Sequence, residues 1–132
     1  MNKIYPNAKD LFMKGDLDID IDVIKVALID LNIYTYDDAH ENWEDAVAAV
    51  IGTPVVLAGI TVTDGVFDGN NITFPTTSGN IANALILFKD TGDNANSSLV
   101  GYIDEGTGFP IQPNGGDINI NWDNGPNKIF LL

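Results

Sequence analysis

Residues 84–132, ALILFKDTGDNANSSLVGYIDEGTGFPIQPNGGDININWDNGPNKIFLL, decide the fold. Three short apolar runs, Ala84–Lys89, Leu99–Ile103 and Ile118–Trp122, alternate with loops dense in Gly, Asn, Asp and Pro, and Lys128–Leu132 closes the chain. Runs of this length between turn residues read as β-strands. In the first run, Leu85 and Leu87 face one way and Ile86 and Phe88 the other, as in a strand covered on both sides. Leu99–Asp104 should return antiparallel beside it across the polar loop Asp90–Ser98. In Asp117–Trp122 only one face is apolar: Ile118, Ile120 and Trp122 oppose Asp117, Asn119 and Asn121. Asp123–Gly125 supplies the last turn.

Working outward, the same signals recur upstream. Val23–Leu31 (VIKVALIDL) is β-branched and apolar on both faces except at Lys25, which predicts a central strand. Ile60–Thr63 alternates up to the turn signal Asp64-Gly65; Val66-Phe67 and Ile72–Phe74 follow around Asp68–Asn71, and Pro75 ends pairing. Pro6–Lys14 predicts one short helix: Pro6 suits its first turn, Ala8, Leu11 and Phe12 share a stripe, and Gly15 stops it. Tyr34–Val50 is the least regular part. An extended Tyr34–Tyr36, an N-cap at Asp37 or Asp38 and an i, i+4 pair of Trp43 with Val47 are expected there. Together these predict an all-β protein, an antiparallel β-sandwich of jelly-roll-like character with a short N-terminal helix. All 132 residues form a single domain, residues 1–22 as helix and arm and 23–132 as the β body.

Charge narrows the partners. Six lysines, no arginine and 19 acidic residues give a formal net charge of −13. Binding nucleic acid or anionic lipid calls for clustered cations, and the guanidinium clamp for phosphate is absent, so neither nucleic acid nor membrane is an expected partner. No run approaches the roughly 20 apolar residues of a membrane span. The N-terminus lacks the apolar core of a signal peptide, which makes synthesis in the cytoplasm the expectation. Without cysteine there is no disulfide or thiolate chemistry, and zinc loses its commonest ligand.

Candidate chemistry is weak at each place it could arise. Asp16–Asp22 alternates strictly, placing four aspartates on one face of an extended segment. As a calcium loop it fails: counted from Asp16, Ile21 stands where Gly is needed and Ala27 where Glu is needed. A solvated acidic strand edge is expected instead. His40, the single histidine, lies beside Glu41 and Glu44 and could hold a metal or act as a base. No Ser, Cys or second His accompanies it, so it reads as structural or simply exposed. Asp64, Asp68 and Asn70 are explained by turn chemistry. The Gly-rich loop Glu105–Asp117 lacks the Lys-Ser/Thr and the following helix of a phosphate loop. Nineteen acids make carboxylate pairs easy to find, and no pair is singled out as a glycosidase's. No catalytic residue, metal ligand or cofactor is expected.

The order of segments resembles a family of small virion structural proteins of tailed bacteriophages and prophages. The matching residues are NKIYPNAKDLFMKGDLD (2–18), IKVALID (24–30), YTYDDAHE (34–41), TVTDGVFDGNNITFP (61–75), ALILFKDTG (84–92), SLVGYID (98–104) and TGFPIQPNGGDININWDNGPNKIFLL (107–132). Ala46–Gly59 and Leu131 depart from the pattern. The resemblance implies a non-enzymatic structural role on the particle, foremost as a capsid decoration or cement protein. Such a protein binds the major capsid protein and copies of itself, a trimer being favoured over a dimer, on the outer surface of the phage head. The alternative is a tail, baseplate or fibre-associated protein with a carbohydrate- or receptor-facing surface. The candidate protein-contact residues are Ile4, Tyr5, Leu11, Phe12, Tyr34, Tyr36 and Trp43. The N-terminal arm is expected to bury against the shell, so that deleting residues 1–15 weakens attachment more than folding.

Overall fold

The apolar runs become the middle of an antiparallel five-stranded sheet. The computed structural model describes residues 2–105, 109–122, 125 and 128–131. Along the chain these form β1 (Asn2–Ile4), α1 (Pro6–Lys14), β2 (Ile24–Ile29), β3 (Val50–Val56), β4 (Thr61–Thr63), β5 (Val66–Asp68), β6 (Ile72–Phe74), β7 (Ala84–Lys89), β8 (Leu99–Ile103), β9 (Ile118–Ile120) and β10 (Phe130–Leu131). The large sheet has the order β1-β8-β7-β2-β3; β10-β5-β4 and β6-β9 form two smaller sheets. The fold is all-β with one short helix, as the strand pattern predicts. The finer jelly-roll likeness finds no support in this strand order.

Register explains why the three central runs read as apolar on both sides. Residues paired across antiparallel strands share a face. Val26 and Leu28 of β2 lie opposite Leu87 and Leu85 of β7, and Leu85 lies opposite Ile103 of β8. On the other face Lys25 and Ala27 pair with Phe88 and Ile86, and Ile86 with Tyr102. Apart from Lys25 all of these are buried, so the sheet is covered on both sides. Trp43 stacks flat on Phe88, rings 4.3 Å apart and 4° from parallel, on the second face. On the first, Phe130 lies against the Gly101 backbone, and Phe130 in turn pairs and stacks with Phe67.

Local signals at the N-terminus hold, but their consequence differs from the expectation. α1 begins with Pro6 and ends at Gly15, whose φ of +77° lets its N–H reach the Leu11 and Phe12 carbonyls. Residues 2–4, however, are no free arm. They pair with Ile103, Tyr102 and Gly101 as an edge strand, and the Tyr5 N–H extends the ladder to the Val100 carbonyl at 3.0 Å. Tyr5 is fully buried. Residues 2–5 thus belong to the main sheet's packing.

Two further expectations are overturned by turn chemistry. Asp16–Asp22 is not extended. The Asp18 carbonyl accepts the N–H groups of Ile21 and Asp22, and the Asp22 carboxylate accepts the Asp18 N–H at 2.8 Å. A short polar side chain that bonds its own backbone outcompetes the strand ladder. In Tyr34–Val50 two 3₁₀ turns, Trp43–Asp45 and Val47–Ala49, replace a helical pair. Asn42, not Asp37 or Asp38, begins the first turn, and the Asp45 carboxylate accepts the N–H groups of Glu41 and Asn42. Residues 123 and 124 of the expected turn Asp123–Gly125, and the last residue of the run 128–132, lie outside the described residues.

Candidate functional site

All four tyrosines of the chain converge on one face of the sheet, together with its single histidine. Tyr102 comes from β8, Tyr5 from the joint between β1 and α1, and Tyr34, Tyr36 and His40 from the connection after β2. Ring centroids are 5.0 Å apart for Tyr5–Tyr36 and Tyr36–Tyr102, and 5.3 Å for Tyr34–His40. The tilted stacking is the arrangement that aromatic quadrupoles favour. Each hydroxyl has a partner. Tyr5 Oη lies 2.9 Å from Tyr34 Oη, which lies 2.9 Å from His40 Nδ1. Tyr36 donates to the Asp38 carboxylate at 2.7 Å and Tyr102 to that of Asp104 at 3.1 Å. Lys3 caps the outside, 3.1 Å from Asp38 and 5.3 Å from the centre of the Tyr36 ring.

Electrostatics decide what these phenols can do. Burial, followed by the bond to Tyr34, pushes the Tyr5 hydroxyl far above the ordinary phenol range. Burial also raises Tyr34, against the lowering effect of the Tyr5 bond, with Asp45 and Asp37 adding to the rise. Tyr36 rises through burial and its bond to Asp38, and Tyr102 through burial and the Asp104 charge. Asp38 is held below the usual carboxylate range by the Tyr36 and Lys3 contacts. A phenol held protonated is a hydrogen-bond post, not a nucleophile or base. The cluster ties three chain segments together.

This geometry redistributes the candidate contact residues. Tyr5, Tyr34 and Trp43 lie in the core of the chain itself and are corrected: they present no surface to a partner. Tyr36 is half-buried within the cluster. Ile4, Leu11 and Phe12 are half-buried and pack against the core from outside. The structure joins Tyr5, Tyr34 and Tyr36 in one network, with Trp43 on the same sheet face above Phe88. Tyr102 is not visible in the sequence because its ring partners Tyr34 and Tyr36 stand more than 60 positions away, and the bonded role of His40 because it depends on Tyr34, whose own partner Tyr5 is 29 positions distant.

Among apolar side chains that do reach solvent, Met13 stands on α1 and Val62 on β4, and the others gather at the two ends of β2. Ile21, Val23 and Val56 are exposed at the end of the sheet where β2 starts and β3 finishes. At the opposite end of β2, Ile33 and Ile81 are exposed around a shallow hollow beside Asp30. Asp30 itself is buried and satisfied: its carboxylate accepts the Asn32 N–H at 2.8 Å and the Asn80 amide at 3.0 Å.

A larger groove of about 890 Å³ opens between the main sheet and β9. Leu85, Ile103 and Ile118 contribute its apolar lining, Phe109 and Trp122 its aromatic walls, and Asn119, Asn121 and Asp117 part of its polar rim. Trp122 is fixed there by its indole N–H, which donates to the Asn70 carbonyl at 2.8 Å. Among the described residues no three His, Cys, Asp or Glu side chains converge as metal ligands would. In the acidic turn, a bond to Asp20 raises the Asp18 carboxyl, and Asp22 pairs with Lys89 at 3.2 Å. Neither a protein-family model nor a curated protein matches this chain.

Proposed function

We propose that this protein is a structural component of a bacteriophage particle, foremost a decoration protein bound as a homo-oligomer to the outer surface of the head. The carrying observation is the division of its surface. A chain of net charge −13 leaves exposed apolar side chains at two opposite ends of its central sheet, Ile21, Val23 and Val56 at one and Ile33 and Ile81 at the other. Apolar groups standing out from an acidic surface suit docking on protein, while the acidic remainder suits an outward face repelled by packaged nucleic acid. The segment resemblance to small virion proteins supports the same reading. Its mechanism is binding without chemistry, in which many weak contacts on a repeating lattice add up. The fully packed sheet suits a part that must bear load.

The groove favours a second reading, a tail or fibre-associated protein that faces carbohydrate. An indole and a phenyl ring flanked by Asn119, Asn121 and Asp117 offer stacking surfaces and neutral hydrogen-bond groups to a sugar. Counting copies on purified particles, and on heads separated from tails, decides between the two. Decoration requires hundreds of copies retained on heads. A handful per particle, lost with the tails, sinks it and leaves the second reading.

A further inference from the structure

We infer that His40 is an acid-released latch on the tyrosine cluster: neutral, it holds the Tyr34 hydroxyl; protonated, it lets go and loosens the join between the N-terminal segment and the sheet. The inference follows from counting hydrogens along the row Tyr5 Oη, Tyr34 Oη, His40 Nδ1, each step 2.9 Å. Tyr5 is wholly buried, and its hydroxyl has no other hydrogen-bond partner among the described residues. With a bare Nδ1, Tyr34 donates to His40 and Tyr5 donates to Tyr34, so both O–H groups are satisfied.

An imidazolium carries hydrogen on both nitrogens and accepts nothing. If it kept its place, Nδ1–H would donate to Tyr34, and the row would hold three hydrogens with no nitrogen left to accept one, so one of the two phenol O–H groups, Tyr5's or Tyr34's, would be stranded in the core. A buried unpaired donor is costly, whereas His40 is half-buried on a surface turn and can swing out. The charges around it act in the same direction. Asp37 and Glu41 on its own turn, and Glu44 and Asp45 on the next, offer an emerging cation acceptors outside the cluster, while Asp38 is already held by Tyr36 and Lys3. Lys3, from β1, is bonded to Asp38, Lys9, from α1, adds positive charge near it, and Tyr36, Tyr102 and Asp104 are bonded within the cluster. None of these replaces the lost acceptor for Tyr34.

Amide hydrogen exchange on the full chain tests this, compared at about pH 7.5 and about pH 5.5. After correction for intrinsic rates, protection of residues 34–42 and of Tyr5–Ala8 should fall about tenfold on acidification, the worth of one net hydrogen bond. His40→Gln retains an acceptor and every neighbouring charge but cannot titrate; it should change less than about twofold. Tyr34→Phe should be loosened at both pH values and insensitive to acid. Identical responses of wild type and His40→Gln would overturn the latch, as would an acid response that persists in Tyr34→Phe. The ¹⁵N signals of the single imidazole give a check without substitution. At neutral pH, Nδ1 must be the bare nitrogen, and a proton found there refutes the proposal.

Discussion

Replacing Gly101 by alanine should force the Phe130 ring away from the central sheet. Gly101 sits in β8 between Leu87 of β7 and Ile4 of β1, and Phe130 lies over its backbone. A Cβ at this position would stand 2.5 Å from two carbons of the ring, far inside the roughly 3.5–4.0 Å of carbon–carbon contact. The ring must yield, because β8 is held by hydrogen-bonded ladders on both sides. Overpacking of this kind costs about 1–3 kcal/mol. The cost has a ceiling, since the ring can at worst leave, which is the loss measured by Phe130→Ala, about 3–5 kcal/mol. The assay is urea denaturation of wild type, both single variants and the double variant. Once the ring is gone the new methyl has room, and alanine recovers about 0.5–1 kcal/mol of glycine's entropic penalty. The double variant should therefore be no less stable than Phe130→Ala alone. Additive losses, or a neutral Gly101→Ala, would refute the placement of β10 over β8.

Three other outcomes follow from the same packing. Trp43→Ala removes a buried ring stacked on Phe88 and should cost about 3–5 kcal/mol in denaturation, with Trp43→Phe recovering part of it; a loss under about 1 kcal/mol would contradict the stack. Deleting residues 1–15 removes β1, α1 and Tyr5, so the cooperative unfolding transition should weaken or vanish by circular dichroism; an unchanged midpoint would restore the free-arm reading. Asp90 is held below its ordinary pKa by the Lys25 bond and by the Gly92 N–H. A lowered folded pKa gives stability present above the unfolded value of about 3.9 and lost as pH falls through the folded one. Asp90→Asn should thus cost up to about 1 kcal/mol near neutral pH, the partly exposed pair being screened by solvent, and the cost should shrink as pH falls below the unfolded value. A cost independent of pH would assign the effect to packing.

What the sequence conveys well is burial on two faces. IKVALI, ALILFK and LVGYI form the three central strands because a sheet covered on both sides leaves almost no place for polar residues. Pro6 and Gly15 mark the helix for equally local reasons. Period alone misleads at Asp16–Asp22, where alternation is overridden by aspartates that bond their own backbone. Neither hydrophobicity nor period could place Tyr5. A tyrosine before a proline near a chain end reads as surface, and only the pairing of β1 with β8 carries it into the core. The His40 bond is hidden for the same reason: its meaning depends on a hydroxyl that itself depends on Tyr5, 29 positions from Tyr34.

If Tyr5, Tyr34 and Trp43 are internal, any partner must be met by other side chains, and the decoration reading needs two such surfaces, one for copies of the chain and one for the shell. The two apolar ends of the central sheet are separated by the length of β2, six residues or about 20 Å, too far to serve as one small contact. Charge substitutions can therefore separate their roles. Val23→Asp with Val56→Asp alters only exposed positions at one end, and Ile33→Asp with Ile81→Asp only exposed positions at the other. Neither pair should disturb the fold by more than about 1 kcal/mol. Under the proposed function, one pair should abolish self-association in sedimentation while the other abolishes particle binding by an intact oligomer. If both pairs leave association and occupancy unchanged, these ends are not the docking surfaces, and the groove beside β9 becomes the surface to test.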